Sequence, residues 1–203
     1  MKTSFPPISD NLEKSATYKS QLERFKLARE QGFYFEGIFI LFAMMEDRLS
    51  SFLFYAGMSN CNRDKVTTNP KVRPQLNAIF LKGDWQKNAL KGISYKIDLI
   101  QHLLAWSRSY IFADPSNDYQ DMLAKQISQT YKADEMITTL GEIKNWCKSR
   151  NELVHALLNK NLVNQAGRLQ LLVEVGYAYT RQLDKFVRSF KNHNTIRKQF
   201  NIQ

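Results

Sequence analysis

Apolar residues recur at intervals of three and four over almost every long segment of this chain, and no alternating apolar and polar run bounded by turns interrupts them, so the pattern predicts an all-α fold. The first helix starts at Ser9 or Asp10, with Glu13 three residues after Asp10 as in a capping box, and stops before Gly32. A second covers Phe33 to Tyr55, with Gly57 as its stop. Residues 58 to 74 form a connection rich in Asn, Thr, Lys and Pro, and Pro74 suits the first turn of a short helix through Phe80. Ile93, Ile97, Ile100 and Leu104, with Leu99, Leu103, Trp106, Tyr110 and Ile111, mark a long amphipathic helix from Ile93 to Phe112 that Asp114-Pro115 ends. Another begins near Asn117 or Asp118 and carries Tyr119, Met122, Leu123 and Ile127. Thr139 and Glu142 give a second capping-box signature and predict a helix from near Thr139, with Asp134 as an alternative earlier start. The last helix runs from about Gln165 to Asn192 on Leu172, Tyr179, Leu183, Phe186 and Phe190. The expectation is a single helical bundle over residues 1–203 with long second, penultimate and last helices, and with frayed tails at 1–8 and 193–203.

The second helix is apolar without a break from Gly37 to Met45, but Glu36, Glu46, Asp47 and Arg48 interrupt it well short of the roughly 20 residues a bilayer span needs. Phe33, Phe35, Phe39, Phe42, Phe52 and Phe54, with Met44 and Met45, therefore read as core or dimer seam rather than as a membrane span or a base-stacking platform.

Length and composition narrow the class further. A chain of 203 residues with 43% hydrophobic content can build its core without metal or disulfide. Cys61 and Cys147 stand in different segments, with no cysteines or histidines at metal-ligand spacing, so no metal, cofactor or disulfide framework is expected. The N-terminal stretch lacks an apolar run, and the reading is a cytoplasmic protein that does not enter a membrane. A formal charge of +10, from 29 basic and 19 acidic residues, attracts polyanions at low salt. Arg63, Lys65, Lys71 and Arg73 concentrate part of that charge in the polar connection, and Arg181, Lys185, Arg188, Lys191, Arg197 and Lys198 concentrate more at the C-terminus. A solvated surface that maintains solubility explains such charge equally well.

The candidate chemistry lies in Arg150-Asn151-Glu152-Leu153-Val154-His155. At 100° per residue, Arg150 falls on the midline of an apolar stripe made by Leu140, Ile143, Trp146, Cys147, Leu153, Val154, Leu157 and Leu158. Asn151 and His155 share a face at its edge, while Lys144, Lys148, Glu152 and Asn159 point away. A guanidinium keeps its charge and must meet an anion. Glu36 and Asp47, eleven residues apart and so nearly on one face of the second helix, and Glu46 beside that line, are the expected counterions. His102 and His193 have no such context, and Ser107, Ser109 and Cys147 lack an identifiable base.

Arg150-Asn151-x-x-x-His155 resembles the Arg-polar-x3-His signature of the HEPN superfamily, as does its setting on a late helix of an all-α domain with one long helix after it. The motif is six residues long, and the rest of the likeness is architecture. That resemblance implies a metal-independent endoribonuclease whose composite site joins two copies of the motif, usually from the two protomers of a homodimer. His155 would then act as base or acid, Arg150 would stabilise the phosphorane, and Asn151 would orient the imidazole or bind a phosphate oxygen. RNA would be cut to 2′,3′-cyclic phosphate and 5′-hydroxyl ends, with Lys148, Arg63, Lys65, Lys71 and Arg73 as contacts to its backbone. Toxin-antitoxin, phage-defence and RNA-processing roles are all known in the superfamily, so an antitoxin or other regulatory protein is a further expected partner. Leu157 stands where HEPN toxins silenced by nucleotide transfer carry a tyrosine, so that mode of control is not expected here. The competing readings are a HEPN-like module that binds RNA or a nucleotide without cutting it, and a helical interaction protein in which Arg150 only bridges to a carboxylate.

Overall fold

Two glycines with positive φ set the bounds of the central helix. Gly32 (φ 75°) closes α1, Asn11–Glu30, in a Schellman turn: the Phe33 amide donates to the Ala28 carbonyl at 2.7 Å and the Gly32 amide to Arg29 at 3.2 Å. Gly57 (φ 78°) closes α2, Tyr34–Tyr55, in the same way, with the Met58 amide on the Leu53 carbonyl at 2.9 Å. The structure, a computed structural model, describes residues 11–60, 63–81, 84–112, 118–156, 166–192 and 195–202. Its further helices are α3 (Val72–Phe80), α4 (Trp85–Ala89), α5 (Ile93–Ser109), α6 (Asp118–Ser128), α7 (Ala133–Ala156), α8 (Ala166–Asn192) and α9 (Ile196–Gln199). The fold is all-helical, and the described residues contain no strand beyond an isolated bridge between Ser59 and Val66. No helix among the described residues is long and apolar enough to cross a membrane.

The apolar run of α2 lies at the centre of this bundle. Ile38, Leu41, Met45, Leu49, Phe52 and Leu53 are buried, and α8 packs along most of that helix, with α1 and α5 on its flanks. Phe52 stacks on Phe186 and Phe190 of α8, with ring centroids 5.3 and 4.2 Å apart. Helix α7 lies against α5 and α8, so its C-terminal turns come beside the first half of α2. The six phenylalanines divide accordingly: Phe52 is core, Phe35, Phe42 and Phe54 are half-buried, and Phe33 and Phe39 are exposed.

Several expected boundaries move. The α5 helix ends at Ser109 because Tyr110 turns extended (ψ 128°) and donates its hydroxyl to Asp121 at 2.7 Å, which leaves Ile111 78% exposed. Helix α7 begins at the earlier alternative, just ahead of Asp134 and Glu135, whose charge suits a helix N-terminus. Thr139 is therefore inside the helix, where its hydroxyl approaches the Glu135 carbonyl at 3.4 Å instead of capping. The short helix α4, which buries Trp85, had no periodic signal.

The expected C-terminal fraying is corrected from residue 195 onward. Ile196 and Phe200 are buried, and the Asn69 side-chain amide donates to the Phe200 carbonyl at 2.7 Å. Arg197 Nη1 donates to the carbonyls of Phe54 and Ser59, both at 2.9 Å, so a cation expected on a solvated tail closes the C-terminal end of α2. Residues 1–8, the Ser9–Asp10 start, Cys61, the Asp114-Pro115 stop, Leu157, Leu158, Asn159, the Gln165 start and His193 lie outside the described residues.

Candidate functional site

The apolar stripe of α7 is where periodicity placed it. Leu140, Ile143, Trp146, Cys147 and Leu153 are buried, and Val154 is half-buried. Trp146 is locked by an indole N–H donated to the Leu172 carbonyl at 2.8 Å and by the bare Cα of Gly176, where a Cβ would come within 2.7 Å of the ring. One turn further on, Arg150 emerges half-buried from the midline of the stripe.

Arg150 meets aromatic rings rather than a carboxylate. Its Cζ lies 4.6 Å from the ring centroid of Phe39 and 4.5 Å from that of Phe42. Its Nη1 donates to Asn151 Oδ1 at 3.0 Å, and its Nε is buried without a hydrogen-bond partner. None of the ion pairs among the described residues includes it.

The expected bridge from Arg150 to the second helix is thus corrected. Glu36 and Asp47 do share a face of α2, but that face meets α1: Glu36 pairs with Arg24 at 2.5 Å and Asp47 with Lys14 at 2.9 Å. Glu46, one position off that line, turns to α5 and pairs with the buried Lys96 at 2.9 Å. Phe39 and Phe42 lie on average about 100° around the helix from the Glu36 and Asp47 line, so those two acids face away from α7, whereas Glu46 shares the ring face and is taken by Lys96.

Asn151 and His155 are both exposed, and Lys148 is exposed on the same side of α7, at i, i+3 and i+7 with them. The helix thus presents a row of ammonium, amide and imidazole beside a guanidinium fixed on two rings. Cys147 is no nucleophile: burial pushes its thiol up to about 12, with Arg150 opposing that rise and Glu46 adding to it. His102 is structural, with Nε2 2.9 Å from the Ile79 carbonyl and its ring stacked 4.9 Å from Phe80. Among the described residues no three His, Cys, Asp or Glu side chains come together as a metal site.

Other proposed RNA contacts do not gather here. Arg63 is held at the C-terminal half of α2, donating to Asp47 Oδ1 at 2.8 Å and Ser51 Oγ at 3.0 Å. Its guanidinium also lies 5.8 Å from the ring of Phe54, about 18 Å along the helix from Phe42. Lys65 and Lys71 are exposed in the connection, and Arg73 donates to Gln86 at 3.1 Å. Of the candidate backbone contacts, only Lys148 shares a helix with the Arg-His pair.

Sequence reasoning missed two sequestered cations, Lys96 buried and Arg48 half-buried. Lys96 sits among Ile93, Ile97 and Ile100, the same signal of charge on an apolar stripe that singled out Arg150. Arg48 lies among Met44, Met45, Leu49 and Phe52, stacks on Tyr18 at 3.8 Å, and approaches Asp184 of α8 at 3.2 Å. The buried arginine-carboxylate contact expected of Arg150 is made by Arg48.

No family model, curated protein or solved structure matches this chain.

Proposed function

We propose that the chain is a metal-independent endoribonuclease of the HEPN type, with Arg150, Asn151 and His155 as its catalytic residues and a composite site completed by a second copy. One observation carries this reading: Arg150 is oriented by Phe39 and Phe42, and no carboxylate among the described residues pairs with it, so its charge is left for an anion. The three acids on α2 that could serve as its counterion are occupied elsewhere. A scissile phosphate supplies the anion. His155, exposed on the adjacent face, takes the proton of the ribose 2′-hydroxyl as its oxygen attacks phosphorus, or returns one to the 5′-oxygen as the P–O5′ bond breaks. Arg150 meets the charge that builds on the phosphorane, and Lys148 holds the neighbouring phosphate. The exposed ring of Phe39, 44% accessible beside Arg150, gives a second protomer an apolar surface to meet. A role in toxin-antitoxin pairs or phage defence follows from this reading as its biological setting.

The test is a labelled single-stranded RNA incubated with EDTA. Wild type is expected to yield 2′,3′-cyclic phosphate ends and to leave the matching DNA intact, while His155→Ala and Arg150→Ala each reduce cleavage by about a hundredfold or more. Equal cleavage by wild type and a folded His155→Ala protein overturns the assignment. RNA binding that weakens in Arg150→Ala, with no products from wild type, selects the non-catalytic binding module instead.

A further inference from the structure

On the face of α2 opposite Phe39 and Phe42, a cleft of about 580 Å³ opens between α1, α2 and α8. Met44, Arg48, Ser51 and Tyr55 contribute to it from α2, and at 100° per residue their mean direction is about 180° from that of Phe39, Phe42 and Glu46. It is therefore separate from the Arg150 site. Among the described residues six cations line it, Lys14, Lys19, Arg48, Arg181, Arg188 and Lys191, against the single carboxylate of Asp184.

That carboxylate is already shared. Asp184 Oδ1 lies 3.2 Å from Arg48 Nε, and Oδ2 lies 2.9 Å from Arg188 Nε. Lys14 is paired outside the lining with Asp47, which also takes Arg63. Lys19, Arg181 and Lys191 form no ion pair among the described residues. Gathering like charges on a concave wall costs stability through repulsion, and the same concavity concentrates their field on whatever enters. On a merely solvated surface these charges would spread; here α1 and α8 bring them together over a volume typical of small-molecule sites.

The wall is also shaped for a planar group beside an anion. Tyr18, Tyr55 and Tyr177 line the cleft. Arg48 is fixed on the Tyr18 ring at 3.8 Å, with its side chain only 14% exposed. Lys191 Nζ lies 5.5 Å from the Tyr55 ring. We infer that this cleft binds a small organic polyphosphate of nucleotide size, with Lys19, Arg181, Arg188 and Lys191 holding its phosphates and the tyrosines bordering its organic part. A monoanion leaves most of the cationic excess unmet, whereas two or three linked phosphates match it in little space.

Calorimetric titration with ATP and with inorganic tripolyphosphate, at about 0.15 M salt and without magnesium, tests the assignment. ATP is expected to bind saturably with one molecule per chain, and tripolyphosphate to compete for the same site. Arg181→Ala and Lys191→Ala, both at exposed positions, are each expected to weaken ATP roughly tenfold while keeping the unliganded melting temperature, and Arg150→Ala is expected to leave ATP affinity unchanged. Failure of the ribonuclease reading is thus visible separately. Absence of saturable ATP binding, equal affinity in wild type and both variants, or a single-stranded RNA that binds through Arg181 and Lys191 without competition from ATP overturns the inference.

Discussion

The guanidinium of Arg150 lies over the ring of Phe42, with Cζ 4.5 Å from the ring centroid, and the second ring of Phe39 lies at 4.6 Å. Ring faces can orient a cation without cancelling its charge, whereas a carboxylate does both. Among the described residues the site thus keeps a directed positive charge with no carboxylate paired to it. In a double-mutant cycle of Arg150→Met and Phe42→Leu, read by urea unfolding, the coupling is expected to be about 1 kcal/mol, because the lost apolar contact of each single variant cancels. Coupling near zero would mean that the two groups are only neighbours and that the ring does not hold the charge in place.

Asp184 and Arg48 give a second prediction. Asp184 is 12% exposed and Arg48 14%, and their 3.2 Å approach is an ion contact without an aligned hydrogen bond, so the pair rests on charge. Asp184→Asn leaves Arg48 half-sequestered and Arg188 without a partner. A loss of about 3 kcal/mol is expected, with the melting temperature falling by about 6 to 12 °C. Adding Arg48→Met should restore part of that loss by removing the stranded charge. If the double variant is less stable than Asp184→Asn alone, Arg48 is held by Tyr18 and not by the acid.

Periodicity made the helical class, the stops at Gly32 and Gly57, the stripe of α7 and the position of Arg150 on it legible from the chain alone. The partner of Arg150 was not, because Glu36, Glu46 and Asp47 share one helix and only the docking of α1 and α5 decides which way each acid faces. Helix α9 was hidden for a related reason. Its charge looked like a solvated tail, yet Arg197 donates to the carbonyls of Phe54 and Ser59 at and just beyond the end of α2, a contact made across more than a hundred residues. The basic cleft was equally illegible: Lys14, Arg48 and Arg181 stand on three helices, and no local pattern shows that these meet.

Acid dependence gives a third prediction. Burial alone would raise the Asp47 carboxyl, but Lys14 first and then Arg63 outweigh it and hold the group below its ordinary value of 3.8. A depressed carboxylate contributes stability that is present above its unfolded value and lost as pH falls through its folded one. Wild type should therefore be more stable than Asp47→Asn near about pH 5, with the gap closing as pH is lowered toward about 2 in urea titrations. A gap that stays constant over that range removes Lys14 and Arg63 as the cause.

Gly176 and Trp146 decide whether the α7 frame beneath Arg150 is rigid. Elsewhere in an exposed helix, Gly→Ala stabilises by about 1 kcal/mol. Here the new Cβ would lie 2.7 to 2.9 Å from three indole atoms, including the Nε1 that donates to the Leu172 carbonyl. Moving the indole away breaks that bond and disturbs the turn that ends in Arg150, so overpacking is expected to outweigh propensity, with a net loss of about 1 to 2 kcal/mol for Gly176→Ala. Trp146→Phe removes the indole edge of Cζ2, Cε2 and Nε1 that the new Cβ would meet, and on that background the same glycine substitution should cost less or become stabilising. Urea unfolding followed by circular dichroism reads all four proteins without relying on Trp146 fluorescence. A Gly176→Ala protein more stable than wild type would show that the indole shifts freely, and the α7 turn would then owe its position to the Phe39 and Phe42 contacts alone.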